Sequence, residues 1–157
     1  MIKCWNLGYE KSKQKAHKIY RKIGRIQCPI FNNELVSFTS SGFSHLIRKR
    51  GRVSRTKTEQ KKRFVLLKYA ERMVKEPTHR VKIEFERREI MEKVNRFGKK
   101  ILIKKKANAW TLVENIEGSE VKLVIGQVSG RGKEFVSIMS RDVVRSTPPK
   151  NKIKKSP

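Results

Sequence analysis

Cysteine, aspartate and long apolar runs are all scarce in this chain of 157 residues. The two cysteines, Cys4 and Cys28, are too few for a disulfide framework and belong to no Cys/His cluster of the kind that binds zinc. Asp142 is the single aspartate, which argues against a nuclease that holds its metal on several aspartates. No apolar stretch approaches the ~20 residues of a transmembrane helix. We therefore expect a protein without structural metal, cofactor or membrane span.

Positive charge is what the chain has in excess. It contains 40 Lys and Arg residues against 14 Asp and Glu, a net charge of +26, and its isoelectric point is about 10.6. A compact domain with this charge repels itself unless a polyanion offsets the repulsion, and nucleic acid is the commonest polyanion. The N-terminus is basic but lacks the apolar region of a secretory signal, so we expect a cytoplasmic protein that binds nucleic acid.

Composition and breaker residues predict one domain with two basic tails. The division is a basic N-terminal arm over 1–27, a folded domain over 28–142 and a disordered basic tail over 143–157. Thr56 and Glu59 have the spacing of a capping box, which marks the start of the best-supported helix. The first half is expected to contain helices over 10–23, 43–49 and 57–75 and a short strand over 34–39.

The second half changes to the period of strands. We expect strands around 81–85, 101–103, 110–113, 121–125 and 135–139, with a helical turn or two over 88–96. The glycine-rich segment 129–132 predicts the tip of the last hairpin. The fold class is therefore α+β, with N-terminal helices packed on a four-stranded antiparallel sheet and flexible basic tails.

His45 stands at the head of the most basic segment. Cleavage of RNA without a metal needs a proton acceptor or donor and cations that stabilise the phosphorane, and a histidine beside arginines can supply both. The alternative is that His45 lies at the edge of the core and the cations form a solvated, phosphate-binding face. The candidate RNA-binding residues here are Arg48, Arg50, Arg52, Arg55, Lys57 and Arg63.

The last hairpin offers further polar candidates. Lys122 lies on one predicted strand, and Ser137 and Arg141 lie on the next, where a period of two would put them on one face together with Phe135 and Met139. Ordinary decoration of a sheet is the alternative for each of them. Glu120 and Lys122 also form an E-x-K pair, the weak signal of a metal-dependent nuclease.

The order of these segments resembles the phage-associated nuclease families of the barnase–EndoU–colicin–RelE group. The resemblance covers about residues 28–142 and is carried by GFSHL (42–46), RTKTEQKKR (55–63), AWTLV (109–113), VKLVI (121–125) and KEFVSIMSR (133–141). It implies metal-independent RNA cleavage by a small toxin-like domain. His45 would have the acid–base role, Arg48 and Arg55 would contact phosphate, Lys122 would be a transition-state cation and Ser137 the last-strand hydroxyl.

Two functional hypotheses follow. The first is a small endoribonuclease, toxin-like or associated with a mobile element, with RNA as substrate and an antitoxin or immunity protein as a candidate partner. The second is a non-catalytic RNA- or DNA-binding protein, for example one associated with the ribosome, since basic residues are spread over both tails. A membrane-surface role would need a stronger apolar face than residues 10–23 provide.

Overall fold

The computed structural model describes residues 2–49 and 53–142 of the chain. These residues form an α+β fold, which confirms the predicted class; the predicted tail over 143–157 lies outside them. The elements in chain order are α1 (Tyr9–Ile23), β1 (Arg25–Cys28), β2 (Glu34–Ser37), α2 (Ser40–Ile47), α3 (Lys57–Lys75), β3 (Lys82–Arg96), β4 (Lys99–Ile116), β5 (Ser119–Val128) and β6 (Lys133–Asp142).

The described strands form one mixed sheet of six strands, so the prediction of a four-stranded antiparallel sheet was wrong. The strand order is β1-β2-β6-β5-β4-β3. The difference arises at the β6 edge, where the short β1–β2 hairpin joins by parallel pairing of Val36 with Lys133 and of Ser37 with Glu134. The strand predicted over 34–39 is β2, but the four residues of β1 lie in a basic segment and carry little periodic signal. The pairing of β2 with a strand so distant in sequence leaves no local trace.

The segment 88–96, predicted to be a helical turn, is part of the long strand β3. It pairs with β4 without interruption from Lys82↔Val113 to Arg96↔Lys99. A two-residue turn, Phe97-Gly98, joins the two strands with positive φ at both positions, as a type I′ hairpin turn requires. Cross-strand pairing along this hairpin therefore decides the conformation of the segment.

Helix α3 is confirmed with the predicted bounds and capping box. The Thr56 side chain accepts a hydrogen bond from the Glu59 backbone N–H (3.2 Å), and the Glu59 carboxylate accepts one from the Thr56 backbone N–H (3.1 Å). Its apolar stripe packs on the sheet and forms the centre of the core. The fully buried side chains there are Phe64, Leu67, Ala70, Met73 and Val74 from α3, and Leu123, Ile125, Phe135 and Ile138 from the sheet.

Helix α1 belongs to this same core. Ala16 is fully buried, Tyr20 is 3% exposed, and the Tyr20 hydroxyl donates a hydrogen bond to the Thr39 carbonyl (2.8 Å) just before α2. The predicted boundary at residue 28 therefore does not coincide with a boundary of the core. One face of α1 packs inward, and its lysines occupy the other face.

Candidate active site

Helix α2 brings His45 to the last strand of the sheet. The Thr39 side chain caps the helix by accepting a hydrogen bond from the Gly42 backbone N–H (3.4 Å). A Cβ at Gly42 would lie 2.5 Å from the Phe135 carbonyl oxygen and would also clash with the Tyr20 hydroxyl. Glycine is therefore required for α2 to pack this closely against β6.

The segment after α2 folds back against the C-terminal end of that helix. The Arg55 backbone N–H donates to the Ile47 carbonyl (2.8 Å), and Arg55 Nε donates to the His45 carbonyl (3.3 Å). A guanidinium at this position also interacts favourably with the C-terminal end of the helix dipole. Arg55 is thus held beside His45 by both its backbone and its side chain.

Arg63 is a second arginine of this region, and its side chain binds to the sheet. Its Nη1 donates to Ser137 Oγ (2.7 Å) and to the Ile138 carbonyl (3.0 Å). Partial burial, and then the nearby Arg55 guanidinium, lower the pKa of Arg63 to about 10, which leaves it protonated at neutral pH. Arg63, one of the candidate RNA-binding residues, is therefore attached to the sheet by its side chain.

A β-bulge in β6 sets the position of Ser137. Val124 is opposite Ser137 while Ile125 is opposite Phe135, so Val136 is an extra residue in the strand. The bulge interrupts the period of two: Phe135 is 1% exposed and Met139 is 37% exposed. The expectation that these two residues share a face was therefore wrong. Ser137 itself is buried, and the contact the structure gives its hydroxyl is with Arg63.

We call His45, Arg55, Arg63 and Ser137 the His45 cluster. Partial burial of the imidazole, followed by the charge of Arg55, lowers the pKa of His45 below its ordinary value. The side chain nevertheless remains exposed, because it lies on the wall of an open groove of about 360 Å³. An accessible histidine that is neutral at pH 7 can accept a proton from a bound molecule.

The groove contains residues that the sequence analysis did not select. It runs from α2 over the face of the sheet opposite the one that carries the buried Leu123 and Ile125. Its lining includes Ser41, Arg88, Arg131, Glu134 and Val136. Glu134 precedes the bulge in β6 and places a second titratable side chain in the same groove as His45. Nothing in the local sequence distinguishes Glu134 from the other glutamates, since its position depends on the pairing of three strands.

In the part of the chain that is described, no hydrogen bond or ion pair joins the remaining candidates to the His45 cluster. Lys57 lies over the Tyr9 ring (5.2 Å), and Arg48 is an exposed residue that pairs with Ser54 in an isolated β-bridge. Lys122 pairs with Glu120 (3.5 Å), and Arg141 is exposed on the neighbouring strand, opposite Glu120. Arg50 and Arg52 lie outside the described residues.

Two other kinds of site are absent from the described ranges. Across 2–49 and 53–142, no three His, Cys, Asp or Glu side chains are grouped as a metal ion would require. Over the same residues, no helix has the length and apolarity needed to cross a bilayer.

Comparison with known proteins adds no assignment. No protein-family model matches the chain, and no curated protein or solved structure matches it either.

Proposed function

We propose that this protein is a small endoribonuclease that cleaves RNA without a metal ion, by attack of the 2′-hydroxyl on the adjacent phosphate. The observation that carries the proposal is the His45 cluster. It combines an exposed histidine of lowered pKa with two arginines, one of them held on the sheet by Ser137 Oγ and the Ile138 carbonyl.

The chemistry assigns a task to each member of the cluster. Neutral His45 accepts the proton of the 2′-hydroxyl, whose oxygen forms a bond to phosphorus. The bond from phosphorus to the 5′-oxygen breaks, water protonates the leaving oxygen, and the products are a 2′,3′-cyclic phosphate and a 5′-hydroxyl. Arg55 and Arg63 stabilise the charge on the phosphorane. Arg63 uses one nitrogen on the sheet, and a guanidinium has further N–H donors for phosphate.

Ser137 is proposed as a positioning residue. Its hydroxyl is buried and accepts a hydrogen bond from Arg63, so it acts on the substrate through the direction of that guanidinium. Arg48, Lys57 and Arg141 are proposed to contact phosphates farther along the strand, with Arg50 and Arg52 continuing the basic segment. A cytoplasmic location and an antitoxin or immunity protein that covers the groove belong to the same proposal.

The test is incubation of total RNA and tRNA with purified full chain in excess EDTA, followed by a denaturing gel. Wild type should give fragments with cyclic-phosphate ends, and His45→Ala should reduce the rate about 100- to 10,000-fold. RNA binding by this variant should fall by less than about tenfold, because the arginines remain. His79→Ala is the matched control, since His79 is exposed in the turn before β3.

Three results would contradict the proposal. The first is absence of RNA cleavage by the wild type in EDTA, and the second is cleavage by His45→Ala at the wild-type rate. The third is cleavage that appears only after Mg²⁺ is added, which would favour a metal-dependent site at Glu120 and Lys122, an ion pair on β5.

A non-catalytic RNA- or DNA-binding protein is the second candidate. It is favoured by the distribution of charge, because the hairpin segment 87–106 alone has nine Lys and Arg against two Glu. Such a protein would bind RNA with a steep dependence on salt and would leave it intact in every buffer.

A further inference from the structure

The outer parts of β3 and β4 project beyond the rest of the sheet. β5 pairs with β4 only from Ala107 onward, so 89–96 and 99–106 pair with each other alone, while Arg87 and Arg88 pair with Asn108 and Ala107 at the point where β5 joins. We call the whole hairpin segment 87–106 the β-ribbon. At about 3.4 Å per residue it is about 30 Å long.

The β-ribbon is strongly basic. Its nine Lys and Arg and two Glu give a net charge of +7. Both acids are in ion pairs, Glu89 with Lys104 (2.7 Å) and Glu92 with Lys105 (2.8 Å) and Arg131. Alternation along the paired strands places five cations on the face away from the groove: Arg87, Lys93, Lys100, Lys104 and Lys106.

The tip of the β-ribbon carries an aromatic side chain that turn geometry does not explain. Phe97 has φ +52° and is fully exposed, and Gly98 follows at φ +74°. A bulky side chain in the left-handed region is unfavourable, and asparagine is preferred at this position of a type I′ turn. Phe97 buries no surface that would offset this cost, which indicates a role in an interaction.

The base of the β-ribbon opens into the groove that His45 lines. Arg88 and Ile90 line that groove from the β3 side, and His45 lines it from α2. Arg131 lines it too and pairs with Glu92 of the β-ribbon. Since the five cations lie on the opposite face, a polyanion bound to them reaches His45 by passing around the edge strand β3 at Arg88.

We propose that the β-ribbon is a binding arm for structured RNA, a substrate class that rests on the proposed ribonuclease function. The cationic face follows the phosphates of a helical stem, and Phe97 stacks on an unpaired base beyond the stem. Aromatic stacking on unpaired bases is a general mode of sequence-tolerant RNA binding. The arm holds the stem while the adjoining strand enters the groove.

The first test removes charge from the arm. The variant Lys100→Gln, Lys104→Gln, Lys106→Gln is made in a His45→Ala background, so that the RNA stays intact. Affinity for an RNA hairpin with an unpaired loop is measured over a range of salt. The magnitude of the log–log salt slope should fall by about 2 to 3, which corresponds to three lost phosphate contacts.

A matched control removes the same charge from α1. Lys11, Lys18 and Lys22 are exposed there, so Lys11→Gln, Lys18→Gln, Lys22→Gln should leave the slope within about 0.5 of the parent value. Equal losses in the two variants would overturn the β-ribbon as the binding arm.

The second test replaces the tip residue by Phe97→Asn. Asparagine with the following Gly98 favours the type I′ turn, so the hairpin is retained. Affinity for the RNA hairpin should fall about 5- to 150-fold at an unchanged salt slope, because stacking is lost and no charge is. Unchanged affinity would overturn the stacking role.

Two further measurements distinguish this inference from the proposed function. A DNA hairpin of the same sequence should bind more weakly than the RNA hairpin, and tighter binding of DNA would overturn the assignment to RNA. With His45 restored, the β-ribbon variants should cleave a short single-stranded RNA at the wild-type rate. If the protein cleaves no RNA and only the β-ribbon variants lose affinity for the hairpin, the β-ribbon is supported as a binding arm and the ribonuclease function is contradicted.

Discussion

The two halves of the long strand β4 have opposite environments. Leu112, in the half paired with both β3 and β5, is fully buried, whereas Leu102, in the β-ribbon, is 59% exposed. Packing under the helices stabilises the first half, while backbone pairing and a two-residue turn hold the second. The packed half of the sheet also includes β6, and the His45 cluster, a site that needs fixed geometry, is built against that strand. The cationic surface proposed to bind RNA lies on the β-ribbon, which projects beyond the rest of the sheet.

The largest effect should come from comparing matched leucines in the two regions. Leu123→Ala, in the packed half of the sheet, should lower the free energy of unfolding by about 2 to 5 kcal/mol, because the side chain is fully buried and leaves a cavity. Leu102→Ala, in the β-ribbon, should change it by less than about 0.5 kcal/mol. Urea denaturation measures both. Equal losses would mean that the β-ribbon also has a packed core.

Gly42→Ala tests how closely α2 is docked on the packed half. Alanine normally stabilises a helix by up to about 1 kcal/mol relative to glycine, but here the added Cβ meets the Phe135 carbonyl and the Tyr20 hydroxyl. We expect a loss of about 1 to 3 kcal/mol. Gly132→Ala is the control, since a Cβ there meets nothing within 4 Å. A stabilised Gly42→Ala would contradict the docking.

Ser137→Ala probes the attachment of Arg63 to the sheet. Loss of the hydroxyl acceptor should cost about 1 to 2 kcal/mol of unfolding free energy, because the donor is a partly buried charge. RNA cleavage should fall as well, and Ser137→Thr should restore it. Ser140→Ala, at an exposed position on the same strand, should leave both quantities unchanged.

The smallest expected effect is a shift in a pH profile. If neutral His45 accepts the proton, cleavage rises with pH through the pKa of His45, which lies below its ordinary value. Arg55→Gln removes a charge that disfavours the imidazolium, so the pKa of His45 rises and the midpoint of the profile moves to higher pH. Arg48→Gln, at the exposed residue that ends α2, should leave the midpoint in place. A downward shift with Arg55→Gln would contradict this role for Arg55.

Local signals predicted the bounds of α1 and α3 well because the ends of these helices are encoded nearby, whereas α2, predicted over 43–49, spans Ser40–Ile47. The Thr56–Glu59 capping box and Pro77 bound α3, and Gly24 follows the end of α1. The conformation of 88–96 had no such signal, because it depends on pairing with β4. The attachment of β2 to β6 likewise depends on strands far apart in sequence.

The same distinction applies to the candidate site. His45 and Arg55 were selected from a short basic segment, and the structure brings them together through a local loop. Arg63 was selected from the same segment as an RNA contact, but its attachment to β6 could not be predicted because its acceptors are 74 and 75 residues away. The bulge at Val136, which positions Ser137, depends on the register of β5 against β6 and leaves no sequence pattern of its own.

The edge strand β3 has a consequence for solubility. β3 is the last strand on its side of the sheet, so one side of its fifteen-residue backbone has no neighbouring strand among the described residues. An open edge of this length is a template for strand addition by another chain, and charged side chains are the usual protection. Nine of the fifteen residues of β3 are Lys, Arg or Glu. The charges of β3 thus protect the protein against edge-to-edge aggregation, and substitutions confined to β4 leave that protection intact.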